Sequence, residues 1–122
     1  MGEFEDELKL KMHELAKGVY AVTRSFPKDE IYGLTSQLRR AGISVALNYI
    51  EGYARFKKKI KLQFYETSYG SLKETKYLIF FCHSEHLVDN EDYQDLMRKS
   101  DDIGKMLWRL MQPLRDNGDH DV

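Results

Sequence analysis

The chain has 122 residues, 42% hydrophobic and 32% charged, with two prolines and a formal net charge of −1, a size and composition that suit one globular domain and exclude a disordered chain. No run of about 20 apolar residues is present to cross a membrane, and the N-terminus MGEFEDELKLK is acidic and amphipathic rather than signal-like. A soluble, cytoplasmic protein is expected, and the single cysteine, Cys82, allows neither an intrachain disulfide nor a thiolate metal cluster.

A first helix is expected from Phe4 to Ser25, where Leu8, Met12, Leu15, Ala16, Val19, Tyr20 and Thr23 recur at helical spacing. Phe26-Pro27 ends it, because a residue before proline avoids the helical region. A short turn over Lys28 to Tyr32 leads to Gly33, and Thr35 or Ser36 is the expected cap of the second helix. From Leu34 onward that helix places Leu34, Leu38, Ala41, Gly42, Val45, Tyr49 and Gly52 on one side. Ile43, Leu47, Ile50 and Ala54 fall nearly opposite. Only a narrow polar stripe remains: Gln37, Arg40, Ser44, Asn48, Glu51 and Arg55. A helix apolar on two sides needs two packing partners, so a second copy of the chain is the expected second partner.

The third helix is expected from Lys59 to Ser84. Thr67, Ser68, Ser71 and Thr75 form a small-residue stripe bounded by Ile60, Phe64, Leu78 and Cys82. Gly70 beside that stripe costs about 1 kcal/mol of helix propensity relative to alanine, which points to a close helix contact. A second stripe, Leu62, Tyr69 and Phe80 with Tyr65 and Leu72 alongside, exceeds what one intrachain contact needs. Together with Ile43, Leu47 and Ile50, the residues Leu62, Tyr69 and Phe80 are the expected homo-oligomer interface. Asp89, with Asp92 three residues on, is the expected cap of a fourth helix. Its apolar face is Tyr93, Leu96, Met97, Ser100, Ile103, Gly104, Leu107, Trp108, Met111 and Leu114. Four amphipathic helices with short links predict an all-α, antiparallel up-down-up-down four-helix bundle over residues 1–115, followed by a polar tail over 116–122.

Enzymatic chemistry finds little purchase. His83 and His86 lie one turn apart beside Cys82 and Glu85, but no third metal ligand is identifiable, and histidines at a helix C-terminus suit the dipole. Glu51 with Arg55 reads as an i,i+4 ion pair rather than a catalytic base. Phosphate-binding glycine loops, nucleophile elbows and zinc-protease motifs are absent. A non-enzymatic protein without metal or cofactor is expected. Charge is more informative. Residues 31–61 carry 7 basic and 1 acidic side chains, and residues 85–122 carry 5 and 10. Arg39, Arg40, Arg55, Lys57, Lys58, Lys59 and Lys61, with Tyr53 and Phe56 among them, form a candidate RNA- or DNA-binding surface. The plainer reading is a solvated helix end, where cations suit the negative pole of the second helix.

Phe26-Pro27, the run Gly33-Leu34-Thr35-Ser36-Gln37-Leu38-Arg39-Arg40-Ala41, Ile43-Ser44, Asn48 with Glu51-Gly52 and Arg55, and Gly70-Ser71-Leu72 together resemble the signature of the bacterial 23S rRNA intervening-sequence proteins, also called S23 ribosomal proteins. The resemblance covers essentially the whole chain. It departs from the pattern at Ala46, where a proline is common, and at the bulkier Leu47, Tyr49 and Ile50. The resemblance implies a four-helix bundle, a homopentamer, and a polar stripe with no assigned reaction. Encoding within rRNA genes, and similarity to the pentameric accessory protein of diversity-generating retroelements, imply an accessory role with RNA or DNA. The alternative from another class is a scaffold that recruits a nucleic-acid enzyme such as a reverse transcriptase.

Overall fold

Apolar residues at helical spacing fold into α1 (Glu3–Thr23), α2 (Leu34–Tyr53), α3 (Lys58–Ser84) and α4 (Asn90–Asp119), with a 3-10 turn over Lys28–Glu30. This computed structural model describes residues 2–119, with side chains through residue 115. Each helix packs on the next, and α1 closes the ring against α4, the arrangement of an up-down-up-down bundle; no strand occurs among the described residues. The core draws on every helix, with Leu8, Met12, Leu15 and Val19 from α1, Leu38, Val45 and Tyr49 from α2, Leu72 and Ile79 from α3, and Leu96, Ile103, Leu107 and Met111 from α4, all at most 2% exposed. Each such side chain contributes about 1.5–3 kcal/mol of transfer free energy.

The α2–α3 seam is the tightest. Ser68 Oγ, fully buried, donates to the Val45 carbonyl at 2.6 Å, and the Ser44 and Ser71 hydroxyls share a hydrogen bond of 2.8 Å. Further along, a Cβ on Gly52 would lie 2.8 Å from two ring atoms of Tyr65 and 3.0 Å from Phe64 Cβ. Gly52 is therefore glycine because α3 leaves no room for a methyl group. At the same end, Tyr49 and Tyr65 stack at 5.5 Å, and Tyr49 Oη donates to the Glu5 carbonyl at 3.1 Å, which ties the start of α1 to both rings.

Several sequence expectations are corrected. Neither Thr35 nor Ser36 caps α2. Gly33 occupies the cap position, Glu30 Oε1 accepts from the Leu34 N–H at 3.2 Å, and Thr35 is buried in the core instead. Gly70 is exposed with open space around it, so only Ser68, Ser71 and Thr75 of the small-residue stripe mark a contact. Thr67 is exposed and bonds back to the Gln63 carbonyl. Tyr65 and Leu72 belong to the core, because α3 packs on both α2 and α4 and needs two apolar stripes for its own chain. Trp108 turns outward and is 45% exposed. The helix α4 continues through Pro113 to Asp119, beyond the expected boundary at 115; residues 120–122 of the expected tail lie outside the described residues.

The links end the helices by local chemistry. His86, at φ 64°, closes α3, with Leu87 N–H on the Cys82 carbonyl and His86 N–H on the His83 carbonyl, the two bonds of a Schellman ending. His83 stacks on Tyr93 at 4.2 Å with Nδ1 against the Val88 carbonyl, so both histidines serve the turn. Asp89 Oδ1 accepts the Asp92 N–H at 2.8 Å and starts α4 as expected.

Two glycines should respond with opposite signs. Gly52→Ala should lower stability by about 1–3 kcal/mol through overpacking, whereas Gly70→Ala should raise it by up to about 1 kcal/mol through propensity alone. Urea unfolding measures both, and equal effects would remove the packing account.

Alkaline pH should also destabilise the fold. Burial, then Glu5 and Tyr53, pushes the Tyr65 phenol up to about 12 from 10.0, and burial with Tyr65 nearby raises Tyr49 further. Because the folded state favours the protonated phenols, this stabilisation is complete below pH 10 and falls as pH rises from about 10 through 12. A spectroscopic tyrosine titration that finds all eight tyrosines ionising at the ordinary value would contradict it.

Candidate nucleic-acid interface and the outer face of α2

At the end of α2, Lys61 reaches back to two carbonyls, those of Tyr53 and of Gly52, the latter also accepting the Arg55 N–H at 3.1 Å. Its Nζ donates to the Gly52 and Tyr53 carbonyls at 2.9 and 3.0 Å, and lies 5.4 Å from the Tyr53 ring centre. Burial holds its pKa below the ordinary lysine value. Arg55 is engaged as well, by Glu51 at 2.8 Å and by the Phe64 ring at 5.0 Å.

Lys57, Lys58 and Lys59 differ from both. All three are exposed and form no ion pair among the described residues. They stand at the N-terminus of α3, whose first turn holds no acidic residue and has no side-chain cap. Cations there meet the positive pole of the helix dipole rather than the negative pole expected from the sequence, so the charge works against the helix. Beside them Phe56 is 98% exposed. Three lysines, an uncapped helix N-terminus and a free ring therefore concentrate positive potential and apolar surface at one tip of the bundle.

Arg39 and Arg40 do not join this cluster. They lie about 20 Å from the C-terminus of α2 at 1.5 Å per residue. Arg39 Nε donates to Thr23 Oγ1 at 2.8 Å, with its guanidinium 4.4 Å from the Tyr20 ring centre, so it ties α2 to α1. Arg40 donates to Ser36 at 3.3 Å in the open. Of the polar stripe, Ser44 and Asn48 build the α2–α3 seam, Asn48 Nδ2 donating to the Ser44 hydroxyl and carbonyl at 2.8 and 2.9 Å. Gln37, Arg40, Glu51 and Arg55 stay exposed.

The six expected oligomer residues divide similarly. Ile43, Leu47 and Ile50 are 36%, 57% and 45% exposed on the outer side of α2. Ile43 and Leu47 line an open groove of about 650 Å3 with Tyr20, Ile31 and Arg39. Leu62 and Tyr69 instead pack, partly buried, against the core of their own chain. Phe80 is exposed beside Tyr77, at 6.4 Å between rings.

A second groove, of about 470 Å3, runs between α3 and α4 and was missed in the sequence. Tyr69 and Trp108 meet in it at 6.0 Å, with Lys73, Lys76, Lys105 and Arg109 around them. The available signal was the recurrence of cations one turn from each aromatic on two adjacent helices. That signal is masked because the C-terminal segment is acidic overall and Trp108 falls on the apolar stripe of α4.

Residues 6–109 match the family described as 23S rRNA-intervening sequence protein. The chain belongs to this family. Among solved structures, it is similar to a protein of unknown function from the S23 ribosomal protein family of Bacteroides thetaiotaomicron VPI-5482. The TM-score is 0.78 at 19% identity, over 86% of this chain and 98% of that one. That likeness shows the shared fold. No curated protein matches the chain.

Within this family member the lysines of the tip should separate into two kinds. Lys61→Ala should cost about 1–2 kcal/mol, since two carbonyls lose a charged donor, while Lys57, Lys58 and Lys59 replaced together by glutamine should raise stability by up to about 1 kcal/mol as the adverse dipole contact is removed. Thermal melts of the two variants read this out, and equal losses would make all four lysines structural.

Proposed function

We propose that this protein is a non-enzymatic, homo-oligomeric accessory protein of the cytoplasm that binds RNA or DNA with low sequence specificity. The observation that carries the reading is the cationic α3 N-terminus. Among the described residues Lys57, Lys58 and Lys59 form no ion pair, and they sit where the α3 dipole disfavours them. Their charge opposes the α3 dipole, as expected of a surface kept for an anion. The family's tie to 23S rRNA, carried in its name, supports nucleic acid as that anion.

Oligomerisation supplies the rest of the affinity. The outer face of α2, with Ile43, Leu47 and Ile50, is the apolar surface offered to a second copy, and a homopentamer is the assembly inferred from the family resemblance. Repeating the tip around an axis turns a weak contact into a multivalent one.

Light scattering should give a mass several times the 14.4 kDa chain. Fluorescence anisotropy should show binding to RNA and DNA that falls steeply between roughly 50 and 200 mM salt, as counterion release requires. Replacing Lys57, Lys58 and Lys59 together by glutamine should weaken binding to all sequences alike and leave the oligomer intact. If an oligomer forms but no nucleic acid binds at low salt, the scaffold reading replaces this one, with a nucleic-acid enzyme recruited as partner.

A further inference from the structure

The α3–α4 groove brings together two aromatic rings and several cations on adjacent helices. Trp108 is the single tryptophan of the chain and is 45% exposed at the end of the bundle's best-formed apolar face. Tyr69 flanks it at 6.0 Å and 47°, leaving an inclined aromatic floor rather than a closed stack. Lys73 Nζ stands 5.2 Å from the Tyr69 ring centre and the Arg115 guanidinium 5.3 Å from the Trp108 ring centre. Lys105 and Arg109 rim the α4 side. The acidic residue lining the groove, Asp101, is already taken by Lys76 at 2.6 Å. Arg115 is paired with Glu66 at 3.3 Å, so the groove presents aromatic faces to a planar group and, among the described residues, three cations without an ion pair, Lys73, Lys105 and Arg109, to an anion attached to it.

We propose that this groove is a stacking site for a base of single-stranded RNA or DNA, with the flanking phosphates on Lys73, Lys105 and Arg109. The proposal rests on the nucleic-acid reading above and names the form of substrate. Bases in a duplex are stacked on one another and cannot reach a groove floor without being flipped out, whereas every base of a single strand has a free face for an aromatic ring. Lys58, Tyr69 and Lys76 also recur at helical spacing, so the cationic tip and the groove share one side of α3, about 16 Å apart from Lys58 to Tyr69 at 1.5 Å per residue. A short single strand spans that distance.

Trp108 provides the readout, because a base stacked on the only indole quenches its emission. Titration with oligothymidylate or oligouridylate should quench Trp108 fluorescence, and a duplex of equal length should bind without quenching. In anisotropy with labelled strands, Trp108→Leu should weaken single-strand binding by about tenfold, the loss of one stacked base, and leave duplex binding unchanged. The rim pair Lys73→Glu with Lys105→Glu, which keeps the indole, should abolish the quenching; circular dichroism checks the fold of both variants. Single-strand binding without quenching, and unaltered in Trp108→Leu, overturns the groove while sparing the nucleic-acid reading. Quenching by polyglutamate equal to that by the oligonucleotides also overturns it, and assigns the groove to an acidic peptide. Absence of binding to any nucleic acid overturns both readings.

Discussion

The hydroxyl of Ser68, on the Val45 carbonyl at 2.6 Å, brings α3 against the backbone of α2, and the space for that approach exists because Ser71, Thr75 and Gly52 are small or lack a side chain. Much of the remaining geometry follows from it. With α2 and α3 this close, Tyr65 can lie flat against Gly52 and stack on Tyr49, whose hydroxyl then reaches the start of α1. The polar stripe of α2 is absorbed into the same seam through Ser44 and Asn48. A hydroxyl pair in a helix contact adds only modest net energy, but an orphaned member would cost more, so the seam fixes register as well as distance.

Because α2 commits its buried side to both α1 and α3, its opposite side is left partly open. The apolar residues there are only partly covered by intrachain packing, unlike Tyr65 and Leu72 of α3, which lie in the core, while Phe80 of α3 stays exposed. The basic residues sort by a similar logic. Lys61, Arg55 and Arg39 are held by carbonyls, a carboxylate and a hydroxyl respectively, so their charge is largely spoken for. What remains free is a smaller and better defined set than the basic segment as a whole.

The architecture was legible because helical periodicity reports which side of a helix is buried: all seven residues assigned to the inner side of α2 are buried or, for Leu34, packed against the core. The Asp89 cap was legible for an equally local reason. Periodicity does not say how many neighbours a helix has. Tyr65 and Leu72 were therefore assigned to a surplus face when they belong to a second intrachain contact, and Trp108 was assigned to the core from its place at the edge of a clean stripe. Gly70 and Gly52 show the same limit: only the atoms across the interface distinguish a glycine that is required from one that is tolerated. The lysine run was visible, but whether it ended α2 or began α3 decided its electrostatic sign, and that depends on where one helix breaks.

The uncapped, cationic first turn of α3 links folding to composition of the surroundings. This turn gathers like charges and meets an adverse dipole. Any polyanion seated there acts as a ligand of the native state alone, and mass action then raises the melting temperature with its concentration. Thermostability in dilute buffer would accordingly understate the stability of the chain in a nucleic-acid-rich compartment. Because the adverse charge is gathered in one exposed turn, ionic strength acts on the fold there.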